Sequence, residues 1–484
     1  MRFHVVLRYV AFALLLNAVF LSISIVFSII SDDNALMPLL YTLLITLTFS
    51  VFPLIFVPKS STITNKEGLL IVVISWLVSC LAGSLPYVLW GNEFTFVNAW
   101  FESVSGFTTT GSTILTDIEI LPNSLLFWRA STHWLGGVGI IVFVLSVLPY
   151  LGIAELVLFR SEVSSIAQEN FRQRAREAVR ILAGVYIGLT ALLAISLLVC
   201  GMNLFDSVVH SFATIATGGF SSKNASIAHY NSEAIEIVIM VFMLLSGLHF
   251  GLLFAAVTGK SLSLFKSKIV RFYVFSMLIG VLLISFNITG NYYDNWFDSL
   301  RFASFQLLSV GTSTGFATAN SSIWPPFSQL ILLFFILQCA CSGSTSGGIK
   351  VDRVVVLIKS FTRHIKQIKH PNAVLPLRID GKTVDEKIVY KTVLFVAFYI
   401  LILFVSTILL SLTGVDIYSA FSGSAATMSN VGPGFGSVGS ISNFSGIPDL
   451  GKWIFSLDML LGRLEIYALF VVITPSQWSK STSY

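Results

Sequence analysis

Four glycine turns end four short apolar segments of the chain: Thr109-Thr110-Gly111, Gly218-Gly219, Thr314-Gly315 and Val431-Gly432. Glycine admits left-handed and otherwise strained backbone angles, so successive carbonyls can be turned to one side. Rings of such carbonyl oxygens can replace the hydration shell of a cation. A second feature points the same way. Arg463 lies inside the apolar stretch 453–473, and a charge at bilayer depth costs at least a few kcal/mol and usually marks an ion or substrate pathway.

The elements that must position these groups are membrane spans. Hydrophobic residues make up 55% of the chain and charged ones 11%, far from the roughly one-quarter charged composition of soluble domains. Mean hydropathy is +0.85. With roughly 20 apolar residues per crossing, about ten spans are expected, near 5–30, 36–57, 68–90, 126–150, 180–201, 233–257, 270–290, 327–358, 388–412 and 452–474. Segments 97–110, 205–217, 298–313 and 417–430 are apolar but too short to cross. The first span reads as a retained anchor, because its apolar run exceeds a signal-peptide core and no small-residue cleavage site follows.

Basic residues fall in alternate loops, 160–180, 260–271 and 350–391, while the intervening loops carry Asp32, Asp33, Asp117, Glu119, Asp294 and Asp298. That asymmetry places both termini and the basic loops in the cytoplasm and the four short segments on the outer side. Most of the basic charge reads as topology. The run from Arg353 to His370 is long enough to dock a cytoplasmic subunit. Cys80, Cys200, Cys339 and Cys341 fall in or beside spans and read as small apolar residues, without a disulfide or zinc pattern.

Repeats set the architecture. Gly219-Phe220-Ser221-Ser222-Lys223-Asn224-Ala225-Ser226 and Gly315-Phe316-Ala317-Thr318-Ala319-Asn320-Ser321-Ser322 share glycine, aromatic, hydroxyl, Asn and Ser at matching offsets. Thr108 to Thr113 and Asn430 to Gly434 end similar segments. The expected fold is an all-α polytopic membrane protein of four pseudo-repeats, each a span, a re-entrant pore helix with a filter turn and a second span, around one central pore. Two extra spans occupy 1–60; the repeats occupy 61–151, 152–260, 261–370 and 371–484. Asn98, Asp206, Asp298 and Asp416 are expected to cap the pore helices, whose negative C-terminal dipole ends then face the pore centre. Non-helical backbone at that depth is tolerated only in a protein interior or a watery cavity, so the turns should line the pore.

These motifs resemble the superfamily of potassium transporters that includes the bacterial Trk and Ktr systems, fungal Trk and plant HKT proteins, and over essentially the whole chain they are most similar to its TrkH family. The residues that carry the resemblance are Phe101-Glu102-Ser103, Thr108-Thr109-Thr110-Gly111, the run from Trp134 to Ile140, Ser211-Phe212, Gly218-Gly219-Phe220, the run from Gly343 to Lys350, and Gly462-Arg463-Leu464-Glu465. The resemblance implies that Thr109, Thr110, Gly111, Gly218, Gly219, Thr314, Gly315, Val431 and Gly432 bind potassium. In that superfamily glycine in all four turns goes with potassium selectivity, and serine in the first goes with sodium preference in some plant members; Gly111 therefore points to potassium.

Gly343, Ser344, Thr345, Ser346, Gly347 and Gly348 interrupt the span 327–358 with residues that weaken a helix. A nucleotide loop is excluded, because Ile349 separates the last glycine from Lys350 and Val351 follows. By resemblance this run is the intramembrane gate loop under the filter. Arg463 is expected below the filter, as a barrier to cations and a donor to carbonyls of the broken span; a structural pair with Asp458 or Glu465 is the competing reading. Asp458 stands where a small neutral residue is expected and can instead pair with Lys452 near the outer end. His133 stands where Gln is expected and reads as a packing residue, as do His210 and His249. Glu102 braces the filter through Arg129, or else draws cations to the mouth.

A potential supplies about 2.3 kcal/mol per charge per 100 mV and tenfold accumulation costs about 1.4 kcal/mol, so roughly fifty-fold accumulation needs no coupled ion. Potassium is then the substrate, and no cofactor is expected on this chain. The resemblance further implies a bacterial inner-membrane location, a homodimer with a pore in each chain, and a cytoplasmic nucleotide-binding regulatory subunit like TrkA. A sodium- or proton-coupled symporter is the alternative within transport. A membrane enzyme would need paired carboxylates, a Ser-His dyad or an HExxH-type site, and the sequence offers none.

Overall fold

The computed structural model describes residues 2–58, 64–151, 171–257 and 266–464, together with 466 and 469. The chain is helical apart from a two-residue hairpin, Arg378–Ile379 with Lys382–Thr383. Two helices lead it, α1 (Phe3–Ser31) and α2 (Leu36–Phe56). Four groups follow. The first holds α3 (Asn65–Trp90), α4 (Phe96–Phe107) and α5 (Asn123–Leu151); the second α6 (Phe171–Val199), α7 (Leu204–Ile215), α8 (Glu233–Ser246) and α9 (Phe250–Val257). The third holds α10 (Lys268–Ile288), α11 (Trp296–Gly311), α12 (Pro326–Gln338) and α13 (Val351–Lys369); the fourth α14 (Glu386–Leu412), α15 (Ile417–Met428) and α16 (Asp449–Arg463). Each group thus repeats a long helix, a short one and a return. The start of α3 carries a Thr64–Glu67 capping box, and Arg2 pairs with Glu67 at 2.8 Å, which puts the start of α1 beside the start of α3.

Among the described residues six helices are long and apolar enough to cross a membrane, or seven if the bent pair α8 and α9 is one span. The sequence suggested about ten. The differences are physical. Helix α5 matches span 126–150 in length, and the last span is described only as far as Arg463, its remainder with Glu465 lying outside the described residues. Much of the basic loop 160–180 also lies outside them, as does Lys260. Span 327–358 is two helices separated by residues 339–350.

Span 233–257 was expected to be continuous and is bent by 106°. The break is made by neighbours that take over its backbone groups: Cys341 N donates to Gly247 O at 3.1 Å, and Phe250 N donates to Gly343 O at 3.2 Å. His249 Nδ1 accepts from Gly251 N, restarting the helix. A break in a span is tolerated when such partners re-satisfy the freed groups.

The short helices correct three of the four expected caps. Thr95, Asn203 and Asn295 cap α4, α7 and α11, and Asn98, Asp206 and Asp298 lie three residues inside. Asp416 alone caps as expected, accepting from Ser419 N. Each true cap is itself a Thr or Asn, residue types suited to that position, so an extra turn of helix forms ahead of the expected start. Two hydrophobic clusters fill the interior: one joins α1 with the first and fourth groups, the other the second and third groups with α14 and α15.

Candidate cation filter and the segment beneath it

All four short helices end alike. The residue two before each glycine has a left-handed backbone, with φ of 54° at Thr109, 55° at Thr217, 57° at Ser313 and 53° at Asn430. The next residue's N–H returns to a carbonyl five positions back: Thr110 to Ser105, Gly218 to Ala213, Thr314 to Ser309 and Val431 to Ala426, at 2.8–2.9 Å. This double turn is a Schellman-type C-cap. The glycines follow with φ of 84°, 77°, 82° and 96°, so the chain reverses direction at the same point in each repeat.

The four glycines close into a ring. A methyl group built on Gly111 would lie 2.1 Å from Gly218 O; on Gly219, 2.0 Å from Thr314 O; on Gly315, 2.2 Å from Val431 O; and on Gly432, 2.6 Å from Thr110 O. Each turn therefore rests on the next, and the fourth rests on the first. Ser112 Oγ donates to Gly432 O at 3.0 Å across the same closing seam. Thr110, Gly218, Thr314 and Val431 are buried, and among the described residues no N–H or O–H donates to their carbonyl oxygens. A buried acceptor left unpaired costs about 1–3 kcal/mol. Four such oxygens, each at the negative end of a short helix, form a site suited to a cation or ordered water.

The ring is held from behind by a buried ion pair. Glu102 on α4 and Arg129 on α5 meet at 2.6 Å, and both are almost wholly buried. Glu102 also accepts from Thr113 Oγ1 and Ile114 N, just past the first glycine. Arg129 donates to Ser221 O at 2.9 Å and lies 3.6 Å above the Phe220 ring, just past the second. His133 stacks on the other side of that contact, with ring centroids 4.0 Å from Phe220. His210 Nε2 sits 2.9 Å from Ser221 Oγ. Both imidazoles are packing elements around the second turn.

Beneath the ring run residues 339–350. Thr345 Oγ1 lies 3.1 Å from Thr217 Oγ1 and donates to Ile215 O. Ser313 Oγ donates to Ser346 Oγ at 3.0 Å and accepts from Gly347 N. A methyl on Gly347 would lie 2.4 Å from Ser429 O. The segment thus touches the second, third and fourth turns through its middle, 345–347. Gly343, Ser344 and Gly348 face elsewhere: Gly343 packs on His249, Ser344 Oγ donates to Cys341 O, and Gly348 packs on Cys339 Sγ.

Arg463 joins this segment to the first repeat. Its Nη1 donates to Thr345 O at 2.5 Å and its Nη2 to Gly136 O at 2.9 Å. Gly136 in turn abuts the first turn, for a methyl there would meet Phe107 O at 2.0 Å. The Arg463–Asp458 pair does not form: Asp458 accepts from Ser406 Oγ at 2.5 Å. Nor does Asp458 reach Lys452, whose Nζ donates to Asn98 Oδ1 at 2.8 Å. Hydroxyl partners on a neighbouring span were invisible in a one-dimensional search for opposite charges. The role of Gly136 was also missed, although its place in a run of three glycines marked close backbone approach.

Comparison with known proteins agrees with this geometry. The family model described as "TrkH: Cation transport protein" matches residues 40–481. The chain is 38% identical to the Trk system potassium uptake protein TrkH of Salmonella typhimurium, over 87% of each chain, and 32% identical to TrkG of Escherichia coli, over 86% of each. It aligns with the crystal structure of the potassium transporter TrkH from Vibrio parahaemolyticus at a TM-score of 0.90 and 33% identity, covering 99% of this chain and 100% of that one. A multi-pass helical membrane protein with a closed ring of four glycine turns, matched over nearly its whole length by that model and these relatives, the chain belongs to the TrkH family of cation transport proteins.

Proposed function

We propose that the chain takes up potassium across a bacterial inner membrane through a gated, channel-like pore in which the four turns form a carbonyl filter. The observation that carries this reading is the ring: four buried carbonyl oxygens without donors, one from each repeat, each abutted by the glycine of the neighbouring turn. A dehydrated monovalent cation supplies the missing partner, and the helix dipoles add to its stabilisation. The curated relatives are named potassium uptake proteins, which supports potassium as the ion.

The proposed gate is residues 343–348 together with Arg463. A guanidinium below the carbonyls repels the permeant ion, and its bond to Thr345 O holds the segment under the ring. Uptake driven by membrane potential then requires the segment to move when a cytoplasmic partner instructs it. A TrkA-like nucleotide-binding subunit, a homodimer and cytoplasmic termini complete the proposal. A second reading, coupling to sodium or protons, is favoured by one observation: Asp458 is a buried carboxyl whose hydrogen-bond partner is a serine and no cation.

Rubidium or potassium flux into liposomes containing only this protein tests both readings. Uptake that follows an imposed potential without sodium or a proton gradient supports the pore. Strict dependence on either gradient supports coupling, and loss of that dependence in Asp458→Asn would assign it to this carboxyl. No flux under any condition, including with Arg463→Ala, would reject transport by the isolated chain.

A further inference from the structure

One of the four left-handed positions differs in kind. Thr109, Thr217 and Ser313 carry hydroxyls, whereas the fourth turn carries Asn430. Its side chain is buried and reaches out of its own turn. Asn430 Nδ2 donates to Thr110 Oγ1 in the first turn at 3.0 Å and to Met459 O on α16 at 2.9 Å. Met459 O can only accept, so the amide nitrogen must face it. That fixes Oδ1 on the opposite side, where it is buried and has no hydrogen-bond partner among the described residues. On that side stand two glycines of the proposed gate region: methyl groups on Gly347 and Gly462 would lie 2.7 and 2.9 Å from Oδ1.

Asn430 is thus in contact with four things: the closing seam of the ring, its own turn, the segment beneath the ring and the helix that carries Arg463. A hydroxyl at this position is too short to span from the fourth turn to both Thr110 and Met459. The other seams show why a longer side chain is used here. At the second and third turns Thr217 and Ser313 reach down to Thr345 and Ser346, and those hydroxyls come from the segment beneath. At the fourth turn that segment presents Gly347, which has no side chain to offer.

We infer that Asn430 is a positioning residue that fixes the seam between the fourth and first turns and couples it to the gate. It sets the spacing of the Thr110 and Val431 carbonyls, and it relays displacement of Gly347 or of α16 to them. Movement of the gate therefore changes the filter's geometry as well as unblocking its exit. The inference rests on reading the four turns as a potassium filter.

The test compares the unaltered protein, Asn430→Ser, Thr110→Val and Asn430→Ser with Arg463→Ala, as full-length protein in liposomes. Potassium-over-sodium discrimination is read from competitive flux, and thermal melting in detergent checks folding. Asn430→Ser should lower discrimination about tenfold, corresponding to ~1.4 kcal/mol, while the melting profile stays monodisperse and cooperative. Thr110→Val, which removes the partner hydroxyl and keeps the carbonyl, should lower it in the same sense. The Arg463→Ala change in discrimination should be smaller in the Asn430→Ser background than alone. Unchanged discrimination in a folded Asn430→Ser protein would overturn the seam role, and additive effects with Arg463→Ala would overturn the coupling. If the unaltered protein does not prefer potassium, the filter reading itself fails, and that result is distinguishable from either.

Discussion

Arg129 Nε donates to Glu102 Oε1 at 2.6 Å, and the relative exposures of the two side chains are 2% and 0%. Between them they grip both sides of one seam: the carboxylate holds Thr113 and Ile114 past the first turn, and the guanidinium holds Ser221 past the second. Removing one member of a buried pair leaves the other charged and unmatched, which typically costs ~3–5 kcal/mol. Arg129→Gln should therefore lower thermal stability sharply and reduce potassium flux. Glu102→Gln with Arg129→Gln should recover part of the stability, since two neutral amides can bond each other. The melting temperatures of the single and double variants check this, and additive losses would reject it.

The ring makes a sharper claim about space. Alanine at Gly219 would place its Cβ 2.0 Å from Thr314 O and force a left-handed backbone at φ 77°, which alone costs an L-residue roughly 1–2 kcal/mol. Gly219→Ala should abolish selective flux. Gly184 on α6 has no atom within 4 Å of the corresponding position, so Gly184→Ala should leave flux unchanged. Rubidium uptake by the two variants, at matched protein insertion, separates a packed filter from general intolerance of glycine replacement.

Arg463 is expected to limit the rate. Its two donors span from Thr345 on the broken segment to Gly136 on the first repeat. Arg463→Ala removes both bonds and the charge, and should raise flux several-fold. Arg463→Lys keeps the charge and loses the two-pronged geometry that a guanidinium supplies. Its flux should fall between the two. A ranking in which lysine matches alanine would show that the hydrogen bonds matter and the charge does not; equality of lysine with arginine would show the reverse.

Much of this arrangement was legible in one dimension, for reasons that differ by element. The filter turns were readable because an unusual backbone leaves its mark on residue type, glycine recurring where φ is positive at 111, 219, 315 and 432. The broken third span was readable because Gly343 to Gly348 is a run of weak helix formers. The break at Gly247 was not. A single glycine in an apolar run is compatible with a continuous helix, and here it is Cys341 N and Gly343 O from another repeat that stabilise the bend. The short-helix starts were displaced by three residues because Thr95, Asn203 and Asn295 compete with Asn98, Asp206 and Asp298 for one role. Cross-repeat partners such as Thr345 with Thr217, or Asp458 with Ser406, carry no local signature at all.

Thr345 offers a way to separate the two hands that hold the gate. Its carbonyl accepts from Arg463, and its hydroxyl donates to Ile215 O and lies 3.1 Å from Thr217 Oγ1 under the second turn. Thr345→Val keeps the volume and the carbonyl but removes the hydroxyl, so Ile215 O and Thr217 lose a partner while Arg463 does not. One buried hydrogen bond is worth about 0.5–1.5 kcal/mol net, which corresponds to an increase of roughly two- to tenfold in the open fraction. Flux through Thr345→Val should rise within that range, less than through Arg463→Ala. The two contacts hold the same segment against two different repeats, so the double variant should be less than additive if either release alone frees it. Strict additivity would mean that the segment opens in two independent halves, one hinged on the first repeat and the other on the second.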